Sequence, residues 1–298
     1  MKLAIVSLFA ILVLFGMNSI SFYPAVAQNA SAYVITPDGM RLSICVHEIP
    51  NASHIQADGH GGALVTAPDG QTTDYPYNPL CASYSSQSND PINEAAYQYS
   101  NSSGGAADPI TYYSSEWNVP GNATGGNDGT VVFWDALQTN LSPSDPEIMQ
   151  PVLVWYGLNT PEWSIASYYI DNGGQVFNTP TISVSPSDTI QGIIQYQSSS
   201  QNFYITASDL TTGEGTVTNV NINDVGTQYI ALVALETINL SSCSGMPSTS
   251  PVTFSSFQLT YQNSTSTTTN VRTSPSPTCG SNISGQIGSS VSISYTPS

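Results

Sequence analysis

Positive charge is almost missing from this chain. Its 298 residues carry 3 Lys+Arg against 20 Asp+Glu, a formal net charge of −17. One of the three cations is Lys2, at the start of an apolar run, so the body of the chain has only Arg41 and Arg272. Nucleic acid binding is excluded, because phosphates are neutralised by Lys and Arg. A polybasic membrane patch is excluded for the same reason, and a P-loop has no lysine to use. Catalytic signatures are missing too. There is no G-x-S-x-G, no D-T-G or D-S-G, and no C-x-x-C or Cys/His cluster at zinc spacing, so neither a nucleophile elbow, a pepsin-like carboxylate pair nor a metal site has its residues. Beyond the N-terminus no stretch is long and apolar enough to span a bilayer. No amphipathic helix of useful length is present.

Only 8% of residues are charged, so the acidity reflects absent cations and not surplus anions. In acid, with carboxylates protonated, such a chain keeps a small positive charge and little self-repulsion. The composition therefore suits an acid-tolerant extracellular protein. Disorder throughout is excluded, since 40% of residues are hydrophobic and 10% aromatic. The N-terminus reads as a secretory signal over 1–27: Met1-Lys2, an apolar run from Leu3 to Phe15, and Ala25-Val26-Ala27 as a cleavage site. Four cysteines, Cys45, Cys81, Cys243 and Cys279, suit two disulfides in an exported chain. Three pairings are open, and proximity favours Cys45–Cys81 with Cys243–Cys279. Eight N-x-S/T triplets, at Asn29, Asn51, Asn101, Asn122, Asn140, Asn239, Asn263 and Asn282, permit glycosylation.

Residues 28–105 read as a small β unit and a linker. Two apolar runs there end in Pro-Asp-Gly, at Val34–Gly39 and Val65–Gly70, which predicts two hairpins. His47, His54 and His60 all fall in this unit and read as surface residues. The Ser/Asn/Gly-rich stretch 82–108 reads as a linker with one short helix from Asp90, Pro91 taking its first position. Residues 106–262 run strand after strand, among them Thr130–Trp134, Met149–Tyr156, Thr189–Tyr196 and Tyr229–Leu235. This predicts an all-β antiparallel β-sandwich of jelly-roll or concanavalin-like type. Residues 263–298 form a Ser/Thr/Pro-rich segment, expected as an extended loop with an edge strand over Gln286–Tyr295.

With those schemes gone, the available chemistry is that of carboxylates, amides, tyrosines and water. Glu236 closes the apolar run Ile230–Leu235, where desolvation suits a group that alternates between base and acid. Gln150 is a polar residue between Met149 and another apolar run. From about Tyr112 to Tyr261 the chain resembles the glutamic peptidases of the eqolisin family (peptidase family G1). Trp117-Asn-Val-Pro120, Val132-Phe-Trp134, Ile148-Met-Gln150, Ile182–Ile190, Asp209-Leu-Thr-Thr-Gly213, Ala231–Glu236 and Val252–Phe257 resemble that family's landmarks in order. The Glu strand lacks the family's Glu-Trp pair, and the substrate-loop motif A-W-x-E stands here as Ala166-Ser-Tyr-Tyr169.

The resemblance implies a secreted β-sandwich endopeptidase acting in acid on polypeptides, with Gln150 and Glu236 as its catalytic dyad. It implies an activated water and no cofactor or metal. Trp134 and Tyr168 would line the substrate groove. Residues 28–105 would be either an inhibitory propeptide or an accessory β unit. The chain is expected to be a monomer with no nucleic acid partner and no stable membrane insertion once the leader is gone. The alternative is a non-catalytic extracellular sandwich that binds carbohydrate or a cell surface.

Overall fold

The computed structural model describes residues 33–37, 39–84, 92–100, 108–125, 129–139, 147–157, 161–221, 228–263 and 269–297. The expected leader over 1–27, and the triplets at Asn29, Asn101 and Asn140, lie outside these residues. The elements before the main strands are β1 Tyr33–Thr36, β2 Gly39–Leu42, β3 Val46–Glu48, β4 His54–Ala57, β5 Ala63–Thr66, β6 Thr72–Tyr75 and α1 Pro79–Tyr84. Then come β7 Ile92–Tyr99, β8 Ile110–Asn118, β9 Thr130–Gln138, β10 Ile148–Tyr156, β11 Glu162–Ile170, β12 Val176–Asn178 and β13 Ile182–Val184. The remainder are β14 Thr189–Gln197, β15 Asn202–Asp209, β16 Gly215–Asn221, β17 Ile230–Ile238, β18 Val252–Tyr261, β19 Thr269–Thr273, β20 Asn282–Gln286 and β21 Ser290–Ser294.

Two sheets carry nearly all of this, as an all-β sandwich. One runs β19-β7-β17-β9-β10-β11-β12-β3, with β13 also on β11; the other runs β20-β21-β18-β8-β14-β15-β16-β4-β5-β6. Pairings are antiparallel except at β12/β3 and β16/β4, where N-terminal strands join parallel. The two sheets read differently in sequence. In β15 and β16 buried residues alternate with half-buried ones, as one-sided burial demands. In β9, β10 and β17 nearly every residue is buried, because both faces of that sheet are covered. This is why Thr130–Trp134 and Ile230–Leu235 are unbroken apolar runs. The inter-sheet face holds Phe133, Leu153, Trp155 and Val233, and the opposite face holds Trp134, Val152, Tyr168 and Leu232.

Three elements depart from the sequence reading. Ile92–Tyr99 is a strand, not part of a linker with a helix: it fills the place between β17 and β19. Its polar Asn93 and Glu94 hid the pattern. Both are buried and bind the C-terminal segment, Asn93 Nδ2 donating to Ser276 O at 2.7 Å and Glu94 accepting from Ser281 Oγ at 2.7 Å. The segment expected as a loop accordingly holds β19. The last strand expected at the edge is interior, because β21 pairs with β18 on one side and β20 on the other. Both predicted hairpins form, β1/β2 and β5/β6, and the disulfides are Cys45–Cys81 and Cys243–Cys279.

Within the inter-sheet core Asp135 is the polar exception. It is fully buried on β9, and its Oδ2 accepts from Ser115 Oγ of the opposite sheet at 2.7 Å. Gly192 on β14 makes the room, since a Cβ there would overlap the Asp135 carboxyl. Burial raises the Asp135 pKa from 3.8 to about 7, with the Ser115 hydrogen bond opposing the rise. The folded chain therefore holds this proton while the unfolded chain has lost it. Stability is complete below the unfolded value and falls as pH rises toward the folded one, by on the order of 4 kcal/mol. Asp135→Asn keeps an acceptor for Ser115 and removes the titration. Its thermal midpoint should exceed that of the parent at pH 7 and match it at pH 3, read by circular dichroism. Gly192→Ala should cost about 1–3 kcal/mol in urea unfolding, because the methyl has nowhere to go.

Candidate active site

Even-numbered residues of β9, β10, β11 and β17 point to the face of their sheet that lies away from the inter-sheet core. Trp134, Gln150, Tyr168 and Glu236 are all on it. The register fixes their order. Gln150 lies opposite Tyr168 on β11, and Trp134 lies opposite Val152 on β10 and Ala234 on β17. Glu236 lies opposite Val132. Trp134 is thus a diagonal neighbour of both Gln150 and Glu236, standing between them, each at about 7–8 Å between Cα atoms. The row of Glu236 crosses β10 at Val154, four residues from Gln150, about 13 Å along the strand. Gln150 and Glu236 share a face but are not side by side.

Local irregularities sit at both candidate dyad residues. The β9/β10 register passes from Met149↔Leu137 to Val152↔Trp134 with no bridge at Gln150 or Pro151. Pro151 has no N–H to give, which is why proline is rare inside a sheet. On β17 the pairing with β7 slips between Leu235 and Glu236, a bulge of the kind that re-aims a side chain.

The face is buried. Trp134, Gln150, Tyr168 and Glu236 are each 4% exposed or less. Neither Oε1 nor Nε2 of Gln150 has a hydrogen-bond partner, and the Trp134 indole Nε1 has none either. A buried polar group left in this state costs about 1–3 kcal/mol. Tyr168 is held as a neutral hydroxyl: burial first, then the proximity of Tyr156, lifts its pKa well above the ordinary value.

Two charged residues that the sequence reading passed over also face this region. Arg41 of β2 is 3% exposed. Burial lowers its pKa, while the charges of Asp171 and then Glu236 favour its cation. Asp171 follows β11, and burial raises its pKa to about 7 against hydrogen bonds from Gln175 N and Gly173 N. Arg41 had a signal in the sequence, being one of two cations in the body of the chain. Asp171 had none beyond the Asn172-Gly173 dipeptide that follows it, a turn signal. Ile35 of β1 and Val46 of β3 pack on the apolar cluster around Trp134, so the N-terminal hairpin contributes to covering the face.

Two of the three histidines are joints between the N-terminal unit and the sandwich, while His60 is exposed as expected. His47 Nε2 pairs with Gln175 Oε1 at 3.0 Å and its ring lies against Tyr75, while His54 Nε2 meets Asn202 Oδ1 at 3.3 Å. Burial lowers the His47 pKa. Among the described residues no group of three or more His, Cys, Asp or Glu could hold a metal ion.

No family model and no curated protein matches the sequence. Solved structures do show similarity. Scytalido-glutamic peptidase with a transition state analog inhibitor is 18% identical with a TM-score of 0.48, covering 69% of this chain and 98% of that one. SCP-B, a member of the eqolisin family of peptidases in complex with the tripeptide Ala-Ile-His, is 18% identical with a TM-score of 0.47 over the same shares. The CBM2 module of the evolved Dit of Lactobacillus casei BL23 phage J-1 is 11% identical with a TM-score of 0.36, covering 49% of this chain and 62% of that one. At this level the likenesses assign no residue a role.

Proposed function

We propose that this chain is a secreted glutamic endopeptidase that works in acid, with Gln150 and Glu236 as its dyad and polypeptide as its substrate. The observation that carries the reading is Gln150. A fully buried amide with no protein partner for either polar atom, on the face that also carries Glu236, is a group the fold itself does not use. A water or a substrate carbonyl over the Trp134 indole would give it a partner and lie between the two groups.

The chemistry balances without a cofactor. The Glu236 carboxylate takes a proton from the water as its oxygen bonds to the scissile carbonyl carbon. The Gln150 amide donates to the oxyanion that develops. The C–N bond then breaks, and the proton held by Glu236 passes to the leaving amine. A low-dielectric face strengthens each of these contacts. Two formed disulfides fit an oxidising compartment. Acid operation fits the buried carboxyls of Asp135 and Asp171, which are neutral below about pH 7.

A non-catalytic extracellular binding module is the second reading. The burial of all four candidate residues favours it, since a substrate has no open path to them in the intact chain.

Hydrolysis of a denatured protein between pH 2 and 7 separates the two. The peptidase reading expects cleavage confined to acid, insensitive to pepstatin, and reduced about 100-fold or more in Glu236→Gln. Gln150→Leu should lose the same activity while gaining about 1–3 kcal/mol of stability, because it removes two unsatisfied atoms. No cleavage by the folded chain, even after proteolytic removal of the hairpin β1/β2, would leave the binding module standing.

A further inference from the structure

We propose that Asn122 and Asn282 carry N-linked glycans, and that these glycans keep the chain monomeric in acid. Glycosylation here needs the export that belongs to the peptidase reading, but none of its catalysis.

Acid removes the usual source of solubility. The sequence has an isoelectric point of about 4.1, so net charge vanishes inside the acid range. A protein near zero net charge tends to associate. Below that point cations are too few to restore strong repulsion, with 3 Lys+Arg and 3 His in the whole chain. The second sheet also ends in an open strand, since β20 pairs with β21 alone among the described strands. Such an edge offers free backbone groups to another chain. An uncharged, hydrated cover answers both problems at any pH.

The described residues hold five N-x-S/T triplets, at Asn51, Asn122, Asn239, Asn263 and Asn282, and geometry divides them. Asn122 and Asn282 are exposed, and neither side chain makes a hydrogen bond. Their backbones, in contrast, are fixed. Gly121 N donates to Thr249 Oγ1 at 3.1 Å and Ala123 bridges to Pro247, so Asn122 stands out from a tied loop. Ser281 Oγ donates to Glu94 at 2.7 Å and Ile283 is buried, so Asn282 projects from an anchored start of β20. Thr124 and Ser284 supply the hydroxyl residue that each acceptor triplet requires.

Exposure alone would not separate these from Asn51 and Asn263, which are exposed as well. Their amides are in use. Asn51 Oδ1 accepts from Val217 N at 2.7 Å and Ala52 N at 3.1 Å, which joins the N-terminal unit to β16. Asn263 donates both its backbone N and its Nδ2 to Asp108 Oδ1, each at 3.0 Å. Asn239 Nδ2 lies 3.7 Å from Met40 Sδ of the first hairpin. A glycan on any of these three disturbs a contact of the fold. On Asn122 or Asn282 it disturbs none.

The transfer balances with a lipid-linked oligosaccharide as donor. The sugar C1 leaves its phosphate oxygen and bonds to Nδ2, the amide gives up one proton, and the lipid phosphate departs.

The test secretes the chain from a host that N-glycosylates, once behind its own leader and once behind the host's secretion signal. Peptide-N-glycosidase in heavy-oxygen water turns each glycosylated Asn into labelled Asp, read by mass spectrometry of peptic peptides. Behind the host's signal, occupancy at Asn122 and Asn282 should exceed that at Asn51 and Asn263 by about tenfold or more. No label at Asn122 and Asn282, or equal label at all four, overturns the sites. Sedimentation near about pH 4 reads the consequence: the parent should stay monomeric, while the double variant Asn122→Gln, Asn282→Gln, folded by circular dichroism, should associate. A monomeric double variant overturns the role in solubility. Asn263→Gln should keep both glycans and the monomer but unfold at lower urea, because the Asp108 contact is lost. An unchanged midpoint overturns the division of the triplets by their amides. Export failing only behind the chain's own leader overturns the secreted reading and leaves both sites standing.

Discussion

A sheet buried on both faces is the constraint from which the rest follows. β9, β10 and β17 have one apolar face against the second sheet and another apolar face that must also be hidden from water. The first requirement is met by the sandwich itself. The second recruits the N-terminal segment, with Ile35 and Val46 laid on the outer cluster. Fully apolar strands of this kind are stable only while their cover stays in place. The same cover removes the candidate residues from solvent. Stability of the sheet and access to its outer face are therefore in opposition.

That opposition sharpens the meaning of the polar atoms on the buried face. Aliphatic residues there need no explanation. An amide with no partner, an indole N–H with no partner, and a carboxylate at a bulge do. The proline beside Gln150 interrupts the ladder in a strand that is otherwise regular on its β11 side. Rules of local consistency are broken together at one place, as is usual where a surface serves chemistry or binding rather than folding. The buried Arg41, with Asp171 and Glu236, adds charge to the same side of the sheet.

Much of this was legible in the residues. Alternation and turn chemistry gave the sandwich, both Pro-Asp-Gly hairpins and the cysteine pairing favoured by proximity. What misled was polarity in buried positions. Asn93 and Glu94 looked like linker residues because their partners, Ser276 and Ser281, lie more than 180 residues away in the chain. β19 and β20 were obscured by their Thr, Asn and Ser content, whereas β21 was legible as a strand and only its place, between β18 and β20, was not. Trp134, Gln150, Tyr168 and Glu236 share a face because strand parity was readable once the strands were. Their spacing across strands was not, since register between distant segments leaves no mark in a single sequence. Asp171 was invisible for a related reason: its hydrogen bonds are local, from Gly173 N and Gln175 N, but its burial and the nearness of Arg41 come from folding and not from sequence.

The Cys45–Cys81 bond has a consequence for how the molecule breaks. The turn at Pro68, Asp69 and Gly70 projects from β5/β6 and is exposed, as are Gln71 to Asp74 after it. A cut there falls inside the disulfide loop, so the two pieces stay covalently joined and migrate as one chain until a thiol is added. A cut at Ser43 or Ile44 falls outside the loop and frees its N-terminal piece at once. Electrophoresis with and without reductant thus distinguishes damage to the body of the protein from detachment of its hairpin.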